Sequence, residues 1–304
     1  MENKNRKSAK LIFSALLFAC AAFIVSSCSK NDDEFSSENL QTSSNESAQE
    51  SSSDEIDDMA TVALNSSVSI TGRVEIISDD RFICDGTTVV FSDVSDDKSS
   101  GTVTITFGPN GCTDKKGNVR KGQIIIHWTG GLWFHEGSVI TITLNNYSIN
   151  DLAIAGTRTI SCTAFTLDPF SVTWNVEASH TFTWPDATTA TRAVNKTKKW
   201  EHTLTEDTYT VTNGPGVVAN AASGTNRHGN EYTVSITTPL VYLGSCIKAN
   251  KVFMPVSGVK VITNITKSKT ITIDYGNGDC DNTFTVSVDG KTKQSRGKND
   301  SSND

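Results

Sequence analysis

Thr102-Val103-Thr104-Ile105-Thr106-Phe107 alternates threonine with a large apolar residue, and this period of two decides the fold. Successive strand side chains point to opposite faces, so Val103, Ile105 and Phe107 face a core and the threonines face water. The same phase returns in Ile140, Ile142 and Leu144, and again in Val172, Trp174 and Val176. Further along come Tyr232, Val234 and Ile236, then Ile271, Ile273 and Tyr275, then Phe284, Val286 and Val288. Threonine on the wet face suits a solvated pleat. One apolar and one wet face marks antiparallel pairing, because a buried parallel strand reads as a continuous apolar run. No amphipathic helix of useful length separates these segments, which argues against βαβ folds. Turn pairs such as Asp85-Gly86, Asn110-Gly111, Asn277-Gly278 and Asp289-Gly290 punctuate them. The expectation is an all-β antiparallel domain over residues 65–292, built as a β-sandwich or a curved half-barrel. The polar residues 293–304 read as a disordered tail.

One echo bears on the architecture. Thr104-Ile105-Thr106-Phe107-Gly108-Pro109-Asn110-Gly111-Cys112-Thr113-Asp114 resembles Thr272-Ile273-Asp274-Tyr275-Gly276-Asn277-Gly278-Asp279-Cys280-Asp281, each a strand running into a turn that ends at cysteine and aspartate. Two related half-sheets are one reading of it. The chain has seven cysteines. If each repeated cysteine joins its nearest upstream partner, the pairs are Cys84–Cys112 and Cys246–Cys280, leaving Cys162 as a buried thiol. Such loops stabilise by roughly 3.5–4 kcal/mol each in the chain-entropy model.

Upstream, Lys4, Arg6, Lys7 and Lys10 precede an apolar run from Leu11 to Val25 and then Ser26-Ser27-Cys28. The run is shorter than the ~20 residues a membrane-spanning helix needs. A basic head, a short apolar core and small residues before a break read as a signal peptide over 1–27. The cysteine that follows reads as a lipoprotein cleavage site, with lipid on the Cys28 thiol. Residues 28–53 are rich in Ser, Asn, Glu and Gln and read as a disordered acidic tether. Ser52 and Glu55 at capping-box spacing, with Ile56, Met59, Ala60, Ala63 and Leu64, predict a short helix over 54–64.

Charge is distributed unevenly. The whole chain is −7; residues 1–27 contribute +3 (four basic groups and Glu2) and residues 28–60 contribute −9 (ten acids and Lys30), leaving −1 for residues 61–304. The body is therefore nearly neutral, and no basic nucleic-acid footprint is present.

Chemistry-bearing residues are sparse. The histidines at 127, 135, 180, 202 and 228 are spread singly, without zinc spacing or a Gly-x-Ser-x-Gly elbow, so no catalytic residue, metal or cofactor is assigned. Trp128, Trp133, Phe134, His135 and Glu136 surround Gly130-Gly131 at an expected hairpin tip, and are the candidate platform for a sugar ring or a protein partner. Asp274, Asn277, Asp279 and Asp281 put four oxygen donors around a Gly-rich turn, a candidate Ca²⁺ set. Glu136, Glu177, Glu201 and Asp186 are the carboxylates from which a glycosidase pair would be drawn, but their spacing selects none.

Cys28-Ser29-Lys30-Asn31-Asp32-Asp33-Glu34 resembles the Lys-plus-acidic export signal of Bacteroidota-type surface lipoproteins. The body, through Phe107–Asp114, Arg120-Lys121-Gly122, Gly156-Thr157-Arg158-Thr159, Ser223–Arg227 and Ile273–Gly276, resembles flavobacterial-type cell-surface lipoproteins that have no assigned activity. The resemblance implies a lipid-anchored outer-membrane protein facing the exterior and carries over no catalytic residue. The function expected is a non-enzymatic binding or structural module for a glycan, protein or envelope polymer. A lipid-trafficking half-barrel with an apolar cavity is the first alternative, and a hydrolase the second.

Overall fold

The computed structural model describes Phe35, residues 37–66, and residues 84–296 apart from positions 109, 116, 132, 217–219, 251 and 253. The signal segment and Cys28 lie outside the described residues. Helix α1 spans Ser37–Ser66. The strands that follow are β1 (Thr88–Ser92), β2 (Gly101–Thr106), β3 (Cys112–Thr113), β4 (Val119–Thr129), β5 (Val139–Ile149), β6 (Leu152–Leu167), β7 (Phe170–Thr183) and β8 (Thr189–His202). After these come β9 (Asp207–Asn213), β10 (Ala222–Thr225) and β11 (Glu231–Leu243), and then the short helix α2 (Gly244–Asn250). The chain closes with β12 (Ser257–Asn264), β13 (Lys269–Asn277), β14 (Thr283–Val288) and β15 (Lys291–Arg296).

Every alternating segment is a strand, and the large apolar residues of each alternation sit on the buried phase, except Tyr275, which is half-buried. All fifteen strands join one antiparallel sheet, in the order β1-β2-β4-β5-β6-β7-β8-β10-β11-β12-β13-β14-β15. β3 extends the sheet beside β4, and β9 lies end to end with β10 in the lane between β8 and β11. Among the described residues there is neither a second packed sheet nor a break into half-sheets, so of the expected architectures the sandwich and the paired half-sheets are not the ones realised. Most strands turn straight back onto their predecessor, and the ladder runs uninterrupted. The strand β15 also reaches Arg296, four residues into the expected tail.

Hairpin chemistry sets the register. The β5–β6 turn is Asn150-Asp151, both at positive φ (50° and 64°), the two-residue loop whose twist matches the strands. A bulge between Lys121 and Gln123 bends β4 at Gly122, where φ is 83° and a Cβ would stand 2.1 Å from the Asn146 carbonyl oxygen.

The sheet's inner face holds α1, which runs thirty residues where a helix over 54–64 and a disordered tether before it were expected. Its buried positions are Leu40, Thr42, Ser43, Glu46, Ser47, Gln49, Ser53, Ile56, Asp57, Met59, Ala60, Ala63 and Leu64. At 3.6 residues per turn these cover well over half the circumference, whereas a helix on a flat surface buries one stripe. The sheet therefore curves around α1, and the curved alternative is the one realised. The ordering entropy of 37–53 is offset by charge pairing and hydrogen bonding, with Leu40 its one large buried apolar residue, a compensation that an apolar-content argument does not count.

The two cysteine pairs are joined as expected, with Cα separations of 5.6 Å for Cys84–Cys112 and 5.2 Å for Cys246–Cys280, while Cys162 is free and buried.

Candidate functional site

The inner face is not an ordinary core. Along β8 the inward phase reads Ala190, Arg192, Val194, Lys196, Lys198, Trp200, so cations fall where apolar residues are usual. Arg120 on β4, Arg158 on β6 and Lys260 on β12 join them. Facing them, α1 carries Glu46, Glu50, Asp54 and Asp57 at helical intervals along one stripe, with Glu55 beside it.

The pairing is extensive. Arg192 Nη2 donates to Glu46 Oε1 at 2.9 Å, and Lys260 Nζ lies 3.4 Å from Glu46 and 3.0 Å from Glu50. Lys196 also binds Glu50. Lys198 lies 3.3 Å from both Asp54 and Asp57, and Arg158 binds Asp57. At the far end of the helix Arg120 is clamped by Glu55 at 2.6 Å, Asp114 at 2.9 Å and the Tyr147 hydroxyl at 2.8 Å. Burial pushes the Tyr147 hydroxyl up to about 12.

Burial opposes every one of these charges, and the partners decide the outcome. Burial opposes the Lys260 charge, but Glu46 and Glu50 outweigh it and hold the ammonium well above the usual lysine range. Burial likewise raises Glu50, yet Lys196, Lys260 and Arg192 outweigh it and hold the carboxyl well below its usual range. Lys196 is held below the usual lysine range, because burial and Arg192 exceed the pull of Glu50.

Uncharged contacts continue the pattern. Asn226 Nδ2 and Asn264 Nδ2 donate to Thr42 Oγ1 at 3.0 and 2.9 Å, and Tyr232 donates to Gln49 Oε1 at 2.8 Å. Ser53 Oγ meets His180 Nδ1 at 3.3 Å. Burial, then Arg158 and Arg192, push His180 down to about 3, so its imidazole is neutral. Between Leu40 and Ile56 the helix has no large apolar residue, whereas Ile56, Met59, Ala60, Ala63 and Leu64 sit in the main apolar cluster. The two halves of α1 are thus held by different forces.

The middle of α1 has a hollow on each flank. On one side a cavity of ≈ 80 Å³ lies between Glu50, Asp54 and Asp57 and a wall that includes Trp133, Trp174 and Tyr242. On the other a hollow of ≈ 330 Å³ is bounded by Ser51, Ser52, Glu55, Asn118, Asn150 and Trp184, with Leu152 beneath. Trp184 opens the β7–β8 turn, is half-buried, and carries the Arg227 guanidinium 4.8 Å from its ring centroid. Asn150 donates to Asn118 Oδ1 at 2.9 Å, fixing both amides at the rim.

The expected platform residues go elsewhere. The loop between β4 and β5 does carry them, but Trp128 is buried on β4 in phase with Ile124 and Ile126, with its indole N–H on the Lys98 carbonyl. The loop folds over β6, where Gly137 N–H donates to Cys162 O at 2.8 Å. Trp133 and Phe134 therefore turn inward and close a ring of aromatics with Phe165, Phe170 and Trp200, at centroid distances of 5.2, 6.1, 5.7, 4.9 and 6.4 Å around it. Only His135 and Glu136 stay exposed. The platform is corrected to an aromatic packing cluster.

The calcium donors do not converge. Asp274 accepts from the Gly276 N–H, Asp281 from the Thr283 N–H and hydroxyl, and among the described residues no three His, Cys, Asp or Glu side chains form a metal set. The four glycosidase carboxylates are scattered: Asp186 binds Arg227, Glu201 binds Lys199, and Glu136 and Glu177 are exposed. His202 Nδ1 lies 2.6 Å from the buried Asp207, the one histidine–carboxylate pair among the described residues, but no hydroxyl or thiol is hydrogen-bonded to its ring. The apolar hollow against Trp133, Trp174 and Tyr242 is far below the ~300 Å³ of a typical ligand pocket, because α1 and its ion pairs occupy the inner face there.

What fold and site define is a single curved antiparallel sheet wrapped on an internal, ion-paired helix. No known protein family, curated protein or solved structure matches it.

Proposed function

We propose that the protein is a non-enzymatic glycan-binding module, anchored in the bacterial outer membrane through lipid on Cys28 and facing outward. The observation that carries the binding reading is the ≈ 330 Å³ hollow beside α1, within the size range of small-molecule sites. Its lining suits a polyhydroxylated ring: one half-buried indole for stacking, and Asn118, Asn150, Ser51, Ser52 and Glu55 for hydroxyls. A Trp184→Ala protein should keep its fold and lose roughly tenfold in affinity for whichever glycan an array screen retains, the size of one good aromatic contact. Unchanged binding in that variant, or an array with no retained glycan, would sink the reading. The anchor has its own support in the Ser26-Ser27-Cys28 cleavage signature and the acidic residues after it. Cys28→Ser should move the protein out of the membrane fraction, and protease shaving of intact cells should remove the wild-type body.

A further inference from the structure

We infer that the cation-lined trough beneath residues 41–55 of α1 is a binding groove for an acidic polysaccharide, and that the carboxylates of α1 occupy it as a resident substitute. The inference rests on the glycan reading above and names the chemical class of the glycan.

Four observations converge on it. Lysine and arginine are almost never fully buried without partners, and here four buried cations, at positions 158, 192, 196 and 260, with the partly exposed Lys198, line one concave surface and pair with carboxylates of α1. The α1 segment over this surface, residues 41–55, has no large apolar side chain, so the helix side of the contact offers no apolar surface that must stay dry. The fit is incomplete. Asn45 Nδ2, Gln49 Nε2, His180 Nε2 and Arg192 Nε are buried there with no hydrogen-bond partner among the protein atoms described, and hollows flank the helix on both sides. Finally, Glu46, Glu50 and Asp54 are four residues apart, a rise of ~6 Å per charge along the helix. A line of carboxylates at near-regular intervals is the charge pattern of a uronate polymer.

Opening gives up one large apolar contact of the helix, that of Leu40 with its cluster on the sheet. Ile56, Met59, Ala60, Ala63 and Leu64 keep the second half of α1 in place, with Asp57 still on Arg158 and Lys198, while the first half lifts and polymer carboxylates take over the cations that Glu46, Glu50 and Asp54 release. The exchange is charge for charge, so it should weaken as salt screens both partners.

The test uses the full chain with oligogalacturonate, a neutral glucan of equal length, and acetate at matched ionic strength, read by calorimetry. Oligogalacturonate should bind at least tenfold more tightly than the glucan, acetate should not bind, and Lys198→Gln should cost several-fold; Lys198 is the most exposed of the five cations and the variant least expected to disturb folding. A Thr42→Cys/Asn264→Cys pair, at short side chains now in contact at 2.9 Å, should lock the segment down and abolish oligogalacturonate binding when oxidised. Each single-cysteine variant should still bind. Binding that survives the lock, or no preference over the glucan, overturns the inference. If the glucan binds equally and Trp184→Ala abolishes that binding, the glycan reading stands and only the acidic-chain inference falls.

Discussion

Replacing Glu46 with glutamine keeps the shape of a fully buried side chain and removes its charge. In the folded protein Glu46 and Glu50 face Arg192, Lys196 and Lys260, two acids against three cations, an excess of +1. Glu46→Gln raises that excess to +2 in a site closed to water. Removing one partner of a buried pair costs about 3–5 kcal/mol. Glu50 remains 3.6 Å from Arg192 and 3.0 Å from Lys260, and the amide oxygen still accepts, so the expected loss is the smaller ~2–3 kcal/mol. For a domain of this size that lowers Tm by roughly 5–10 °C. The double variant Glu46→Gln/Arg192→Met returns the excess to +1 and should recover at least half of the loss, although it deletes a second buried contact. Thermal and urea unfolding of the wild type, both single variants and the double variant close the cycle. A Glu46→Gln protein within ~0.5 kcal/mol of wild type, or strict additivity in the double, would show that α1 does not seat its carboxylates on the sheet.

Two further outcomes follow from the same contacts. His180 is held neutral, at about 3 against an ordinary ~6.5, so below pH 6.5 the unfolded chain binds a proton that the folded one refuses. Stability should therefore fall on acidification with a slope approaching ~1.4 kcal/mol per pH unit, steepened near pH 4 by Glu50, and His180→Gln should flatten the upper part of that slope; a flat profile from pH 7 to 5 would contradict the burial. Cys162 is buried and its thiol is pushed up to about 11, chiefly by burial, so a chain beginning after Cys28 should give almost no thiol reaction when native and one thiol when denatured unreduced, while five would refute both cysteine pairs.

The sheet was legible because its evidence is local. Val103, Ile105 and Phe107, or Phe284, Val286 and Val288, declare strand and face in a few residues, and the cysteine echo at 112 and 280 pointed to both pairs. The helix was not, because α1 depends on residues more than a hundred positions away. Glu46 gains its partner at Arg192 and Glu50 at Lys260, and nothing within 41–55 announces either. One signal was present and unread. Arg158, Arg192, Lys196 and Lys260 all fall on the inward phase of their strands, where an unpaired charge is prohibitive, so a chain of acids elsewhere had to answer them. Trp128 was misplaced by a similar omission, since its phase with Ile124 and Ile126 already put it inside.

That inward phase also constrains what the interior is for. The sheet alone brings six inner-face cations and one acid in contact with them, Asp114, while α1 brings five acids, so neither part is electrically tolerable without the other or a substitute. A purely structural interior gains little from this arrangement, because well-packed apolar residues of similar volume often stabilise as well as or better than buried ion pairs. Between Leu40 and Ile56 the helix has no such apolar residues, yet its second half does, on the same sheet and the same helix. An apolar solution was therefore within reach of this fold, yet polar contacts run from Thr42 to Asp57, and the two hollows lie beside the later part of that stretch. The distinction between the halves is what a groove requires: one part of the helix is fixed by water exclusion, and the other is held by charges that a competing anion can take over.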